Sequence, residues 1–131
     1  MQQIEVSSKS RQEFLDITAE VQALVRENNW ENGVLNLHCS HTTAGLTINE
    51  SADPSVPTDI LKTLSSLVPR VGDYQHAEGN SDAHIKSSLM GCTLQIMVNN
   101  GKLVLGTWQG IFFTEFDGPR KRKVHAQWIK S

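Results

Sequence analysis

Short runs of β-forming residues, each closed by turn residues, recur along this chain and restrict it to folds built on antiparallel sheet. The clearest is Thr93 to Val98, followed by the hairpin signal Asn99-Asn100-Gly101-Lys102, with Leu103 to Leu105 pairing back. Gln3 to Ser7 alternates weakly and reads as a strand, and Glu13-Phe14-Leu15 closes a partner for it. Val34 to His38 reads as a buried strand, and Ala44, Leu46 and Ile48 alternate with Gly45, Thr47 and Asn49 in another. Ile111 to Phe116 is a further strand; Asp117-Gly118-Pro119 turns the chain, and Val124 to Ile129 completes a last hairpin.

Two helices interrupt this series. Asp16 offers an N-cap oxygen, and Ile17, Val21, Leu24 and Val25 follow at helical spacing until Asn32-Gly33 turns the chain. Pro54 and Pro57 suit a first helical turn, Ile60, Leu61, Leu64, Leu67 and Val68 form one apolar stripe, and Pro69 ends it. Arg70 to Ser88 is polar and rich in breakers, so it reads as a long loop with weak strand character; loops of that length inside a domain tend to be functional. The expected architecture is α+β: one domain over residues 1–131, a strand-rich antiparallel or mixed sandwich with two helices.

Charge and cysteine content narrow the partners. A formal net charge of -2 argues against nucleic acid as the main partner, because phosphate neutralisation needs a dominant basic surface. Cys39 and Cys92 form no CxxC pair and no disulfide scaffold. The first residues lack the apolar run of a signal peptide, and no stretch approaches the ~20 apolar residues that span a bilayer. The expected compartment is the cytoplasm, with no membrane partner.

Three groups of residues could carry chemistry. His41, His76 and His84 stand in polar, turn-rich settings. Neutral imidazoles suit zinc and similar divalent ions, and three of them with an open water position describe a catalytic type of site. The ordinary alternative is three separate surface histidines, since their spacing matches no compact zinc motif. Arg120-Lys121-Arg122-Lys123 follows a tight turn and would set Arg120 and Arg122 on one strand face. Paired guanidiniums bind phosphate or carboxylate well, although a solvated hairpin edge is equally compatible. Trp108 and Gln109, flanked by Gly106 and Gly110, could line a pocket or pack at a strand crossing.

These segments together resemble the YjbQ-like family. His41-Thr42-Thr43-Ala44 through Thr47-Ile48-Asn49-Glu50 is similar to a first family motif, and Asn80-Ser81-Asp82-Ala83-His84 with Gly91 to a second. Leu105-Gly106-Thr107-Trp108-Gln109 with Glu115, Asp117-Gly118-Pro119-Arg120 and Arg122 resembles a third, so the likeness covers almost the whole chain. The resemblance implies a homotrimer of α+β subunits and a divalent-metal site at His41, His76 and His84. It also implies a low, secondary thiamine-phosphate synthase activity.

On that basis Arg120, with Arg122, would hold a phosphate or diphosphate, and Glu50 and Asp82 would orient ligands or move a proton. Asn49, Asn80, Trp108 and Gln109 would complete the substrate site. Zinc suits the imidazoles, and magnesium could accompany a phosphorylated substrate. The competing expectation is a non-enzymatic trimeric metal- or ligand-binding protein in which Trp108, Gln109 and the arginines are interface residues.

Overall fold

The computed structural model describes all residues from Met1 to Ser131. In chain order the elements are β1 (Gln2–Ser7), β2 (Glu13–Asp16), α1 (Thr18–Glu27), β3 (Gly33–Cys39), β4 (Ala44–Glu50), α2 (Ser55–Leu67), α3 (Ser81–Met90), β5 (Thr93–Asn99), β6 (Lys102–Leu103), β7 (Gln109–Glu115) and β8 (Lys121–Lys130). A five-stranded sheet runs β1-β8-β3-β5-β6 and a three-stranded sheet runs β2-β7-β4. Every pairing is antiparallel. The fold is therefore α+β, as the spacing of strand and turn signals implies.

Alternation decides which residues meet between the sheets. Leu35, Leu37, Ile96, Val124 and Ala126 from the large sheet join Ala44, Leu46, Ile111 and Phe113 from the small one in a single buried cluster. Helix α1 fills that cluster with Val21 and Val25, and the Trp30 and Trp128 rings stack at 5.2 Å where the helix leaves. The Asp16 carboxylate accepts the Thr18 N–H at 2.9 Å at the start of α1. Asn100 and Gly101, both at positive φ, form the two-residue turn between β5 and β6, the geometry that matches strand twist.

Four features depart from the sequence expectation. The first strand does not pair with Glu13–Leu15: β1 pairs with β8, and β2 pairs with β7 in the other sheet. Nor do β7 and β8 form a hairpin, because the chain changes sheets between them. A third helix, α3, occupies part of the segment expected to be loop. Its inward face is polar, with Asp82, Lys86 and Ser87 buried beside Ala83, while Ile85 and Leu89 are exposed. No apolar stripe marks it, so hydrophobic periodicity cannot find it. The apolar stripe of α2, in contrast, exists but buries none of its residues fully, and Leu67 is 72% exposed.

The turn from β7 to β8 carries the chain between sheets at Asp117-Gly118-Pro119. Gly118 donates its N–H to the Arg11 carbonyl at 2.9 Å, and a Cβ there would stand 2.3 Å from the Ser10 carbonyl oxygen and 2.6 Å from Ser8 Oγ. Backbone cannot yield cheaply to that contact. Gly118→Ala should therefore cost at least about 1–3 kcal/mol in urea unfolding. An unchanged midpoint would show that the turn accommodates a side chain.

Candidate functional site

The register of β4 on β7 separates the candidate residues into two groups. Ala44 faces Glu115 at one end of the small sheet, and Glu50 faces Gln109 at the other. Six strand steps, roughly 20 Å, lie between the ends. Asn49, Glu50, Trp108 and Gln109 gather at the second end. There Asn49 Oδ1 accepts the Glu50 N–H, Gln109 Oε1 accepts the Gly106 N–H, and Trp108 is 62% exposed. The remaining candidates gather at the first end. Helix α3 is anchored there by Ser87 Oγ donating to the Ala44 carbonyl at 2.6 Å, and Asn80 Nδ2 donates to Asp117 Oδ2 at 2.9 Å.

Two buried ion-pair networks build this first end. In one, Arg122 donates through Nε to Glu115 Oε1 at 2.9 Å and through Nη2 to Glu115 Oε2 and Thr43 Oγ1. Ser8 Oγ donates to Glu115 Oε1 and accepts the Arg120 N–H. Burial alone would raise the Glu115 pKa. Hydrogen bonds from Arg122, Ser8 and the Asp117 N–H, with the Arg122 charge, outweigh it and hold the carboxyl below its usual range. In the other network, Asp82 accepts from Lys86 Nζ at 2.9 Å and from Arg11 Nη2 at 3.0 and 3.2 Å. Burial again opposes ionisation, and the Lys86 and Arg11 contacts overcome it.

These contacts correct two expectations. Arg122 is 4% exposed with its guanidinium committed to Glu115 and Thr43, so it does not reach out to a ligand phosphate. Asp82 is fully buried between two cations and does not move a proton at an open site. Sequence reasoning gave Glu115 no role of its own and missed Lys86. A carboxylate inside the apolar run Ile111 to Phe116, with an arginine seven residues on, was the available signal for the first. The (i, i+4) spacing of Asp82 and Lys86 was the signal for the second.

Arg120 remains outward. Its Nε donates to the Asp117 carbonyl and its Nη2 to Asp117 Oδ2, each at 2.8 Å, and about half of the side chain is exposed. The His76 and His84 rings meet edge to face with centroids 5.2 Å apart. Neutral imidazoles suit a tetrahedral ion such as zinc, and His76 Nε2 stands 3.7 Å from Glu78 Oε2. His41 lies in the β3–β4 loop and accepts the Lys123 N–H on Nε2 at 2.9 Å. Burial and then the Arg122 charge lower its pKa, so it stays neutral. The expected three-histidine cluster is not assembled within one subunit: no group of three or more His, Cys, Asp or Glu side chains converges with metal-holding geometry.

The networks set two measurable properties. Removing one member of a buried pair strands the other charge, so Arg122→Ala should cost about 3–5 kcal/mol in denaturant unfolding. His41, Glu115 and Asp82 all have pKa values lowered by folding, so the unfolded chain binds more protons and acid removes stability. Each contribution is complete above the group's unfolded pKa and disappears as pH falls through its folded one. Melting temperature should decline first below about pH 6.5 and more steeply below about pH 4. A flat profile between pH 7 and 3 would contradict these assignments.

Comparison with known proteins gives one consistent result. Residues 2–131 match the family described as "UPF0047 protein YjbQ-like". A UPF0047 protein of Methanocaldococcus jannaschii is 50% identical over 125 residues, covering 95% of this chain and 91% of that protein. The UPF0047 protein YugU of Bacillus subtilis is 46% identical, covering 95% of each. A crystal structure of a YjbQ/UPF0047-family protein from Clostridium acetobutylicum superposes with a TM-score of 0.95 at 53% identity, covering 98% of this chain and all of that one. The chain belongs to the YjbQ-like UPF0047 family.

Proposed function

We propose that the protein is a metal-dependent enzyme acting on a small phosphorylated metabolite, of the thiamine-phosphate synthase type. The observation that carries this reading is the contact of His76 with His84 of α3, the helix whose N-cap residue Asn80 shares the Asp117 carboxylate with Arg120. Arg120 is tied through Asp117 to Asn80, and His84 stands four residues, about 6 Å, along the helix from Asn80. Two neutral ligands and an outward guanidinium at one end of the sheet suit a metal ion together with an anionic substrate group.

The reaction proposed joins a pyrimidine diphosphate to a thiazole phosphate. The bond from carbon to the diphosphate oxygen breaks, the thiazole nitrogen bonds that carbon, and pyrophosphate leaves. Arg120 would hold the departing pyrophosphate, where negative charge grows. His76 and His84 would hold the ion, which when bound supplies Lewis acidity; zinc suits these ligands, and magnesium could arrive with the substrate. The Asp82 and Glu115 networks keep the surrounding loops in place and do not themselves touch substrate.

The working unit we propose is a homotrimer. Two observations favour it: the apolar stripe of α2 stays incompletely buried on the subunit, and the candidate residues divide between opposite ends of the small sheet. A cyclic, head-to-tail assembly could bring Glu50, Asn49, Trp108 and Gln109 of one subunit to the histidines of the next. It could also bring a further ligand to His76 and His84. No helix is long and apolar enough to cross a membrane, and we place the enzyme in the cytoplasm. The second reading, a trimeric metal- or ligand-binding protein without catalysis, is favoured by the structural commitment of Asp82 and Arg122.

Zinc titration separates these readings from a metal-free role. His76→Ala and His84→Ala should each weaken zinc binding at least about tenfold. Full stoichiometry in the His84→Ala protein would refute the metal site. Sedimentation equilibrium at micromolar concentration should give the trimer mass, and a stable monomer would refute the assembly. With zinc bound, formation of thiamine phosphate that is lost in Arg120→Ala would support the enzyme over the binding protein; no turnover would favour the latter.

A further inference from the structure

We infer that the N-terminus of α3, with the Ser81 hydroxyl and Arg120, is a phosphate cradle that holds the phosphomonoester end of a ligand. The inference rests on the phosphometabolite reading above and names which atoms of the site take the anion.

The first turn of α3 points its N–H groups and the positive end of its dipole at whatever precedes it. Asn80 occupies the N-cap position, yet no side chain caps this ten-residue helix; its carbonyl takes the Ala83 N–H at 3.0 Å, which leaves the Ser81 and Asp82 N–H groups open. Two buried polar atoms in the same turn also have no partner: Asn80 Oδ1 and Ser81 Oγ. Ser81 is 8% exposed, so its hydroxyl has left water without gaining a protein hydrogen bond. Ser and Asn at helix starts usually serve their own backbone. Here both leave their oxygens for something else.

The surrounding charge favours an anion. Asp82 is paired with both Arg11 and Lys86, and Asp117 with Arg120, while Glu78 stands beside His76, so the carboxylates of this end are already partnered and the free helix N–H groups and Arg120 are what remain for an anion. Arg120 uses Nε and Nη2 on Asp117, which leaves the Nη1 donors uncommitted. Asn80 Nδ2 is fixed by Asp117, so its free atom is an acceptor. The ligand therefore presents acceptor oxygens to the helix, Ser81 and Arg120, and one donor to Asn80 Oδ1. A phosphate monoanion, or a phosphomonoester with a neighbouring hydroxyl or amino group, has that pattern. One ordered water could satisfy the two orphaned oxygens but would leave the helix N–H groups and the Arg120 Nη1 donors unanswered.

Inorganic phosphate is the probe, titrated into 15N-labelled protein, zinc-loaded and chelator-treated. Saturable shifts should appear at the Ser81 and Asp82 amides in both preparations. Ser81→Ala should weaken phosphate binding about tenfold without lowering the melting temperature, because Ser81 Oγ bonds nothing in the protein, and Ser81→Thr should restore affinity. Should the alanine protein fail to fold, Ser81→Cys, close in size and a weak donor, should show the same loss. Equal affinity in the wild-type and Ser81→Ala proteins, shifts centred elsewhere, or no binding would overturn the cradle. Phosphate binding confined to the zinc-loaded protein would also overturn it, placing the anion on the metal. Loss of the zinc site alone leaves it standing.

Discussion

The buried pair of Glu115 and Arg122 is the constraint on which one end of this molecule depends. Its two side chains come from β7 and β8, one from each sheet. Through Ser8 and the Asp117 N–H it reaches the segment after β1 and the turn between β7 and β8, and through Thr43 the loop that carries His41. Sandwich ends are where strands stop and loops must find partners for their backbone groups. A charged pair in that place costs desolvation and returns less stability than an apolar pair of equal volume would. What it supplies is geometry: a bidentate guanidinium fixes the distance and orientation of both strand ends.

The Asp82–Lys86–Arg11 cluster does the same for α3. It fastens a helix with almost no apolar inner face to the segment between β1 and β2, helped by Lys86 Nζ donating to Gln12 Oε1. Together the two networks bring the β3–β4 loop, the start of α3 and the β7–β8 turn to one end of the small sheet. Arg120, His76 and His84 then project from a scaffold that is rigid by hydrogen bonding more than by apolar contact.

How much of this was legible in the sequence follows from what alternation and periodicity measure. Strands β3 and β5 were readable from their apolar inward residues and β7 from a continuous apolar run, since it is buried on both faces, and Asn100-Gly101 fixed a hairpin register. Helix α3 was not, because Asp82, Lys86 and Ser87 point inward and mimic a loop composition. The same inversion misled the assignment of Arg122 and Asp82. In sequence, the only sign that Arg122 is satisfied by a buried glutamate is the carboxylate of Glu115 inside an apolar run, which does not by itself pair the two. Only the antiparallel register of β1 on β8 turns Val6 and Arg122 inward together. Motif likeness singled out segments of the chain but could not say which of their polar residues hold the fold and which are open to solvent.

Hydrogen exchange on an Arg122→Lys protein tests this account most directly. Lysine keeps the charge but cannot hold both Glu115 oxygens in a planar fork. Amides in segments 40–43, 80–83 and 117–120 should lose protection together, while those of β3, β5 and the centre of β8 keep theirs. Unchanged protection in those three segments would show that the pair does not organise this end of the molecule.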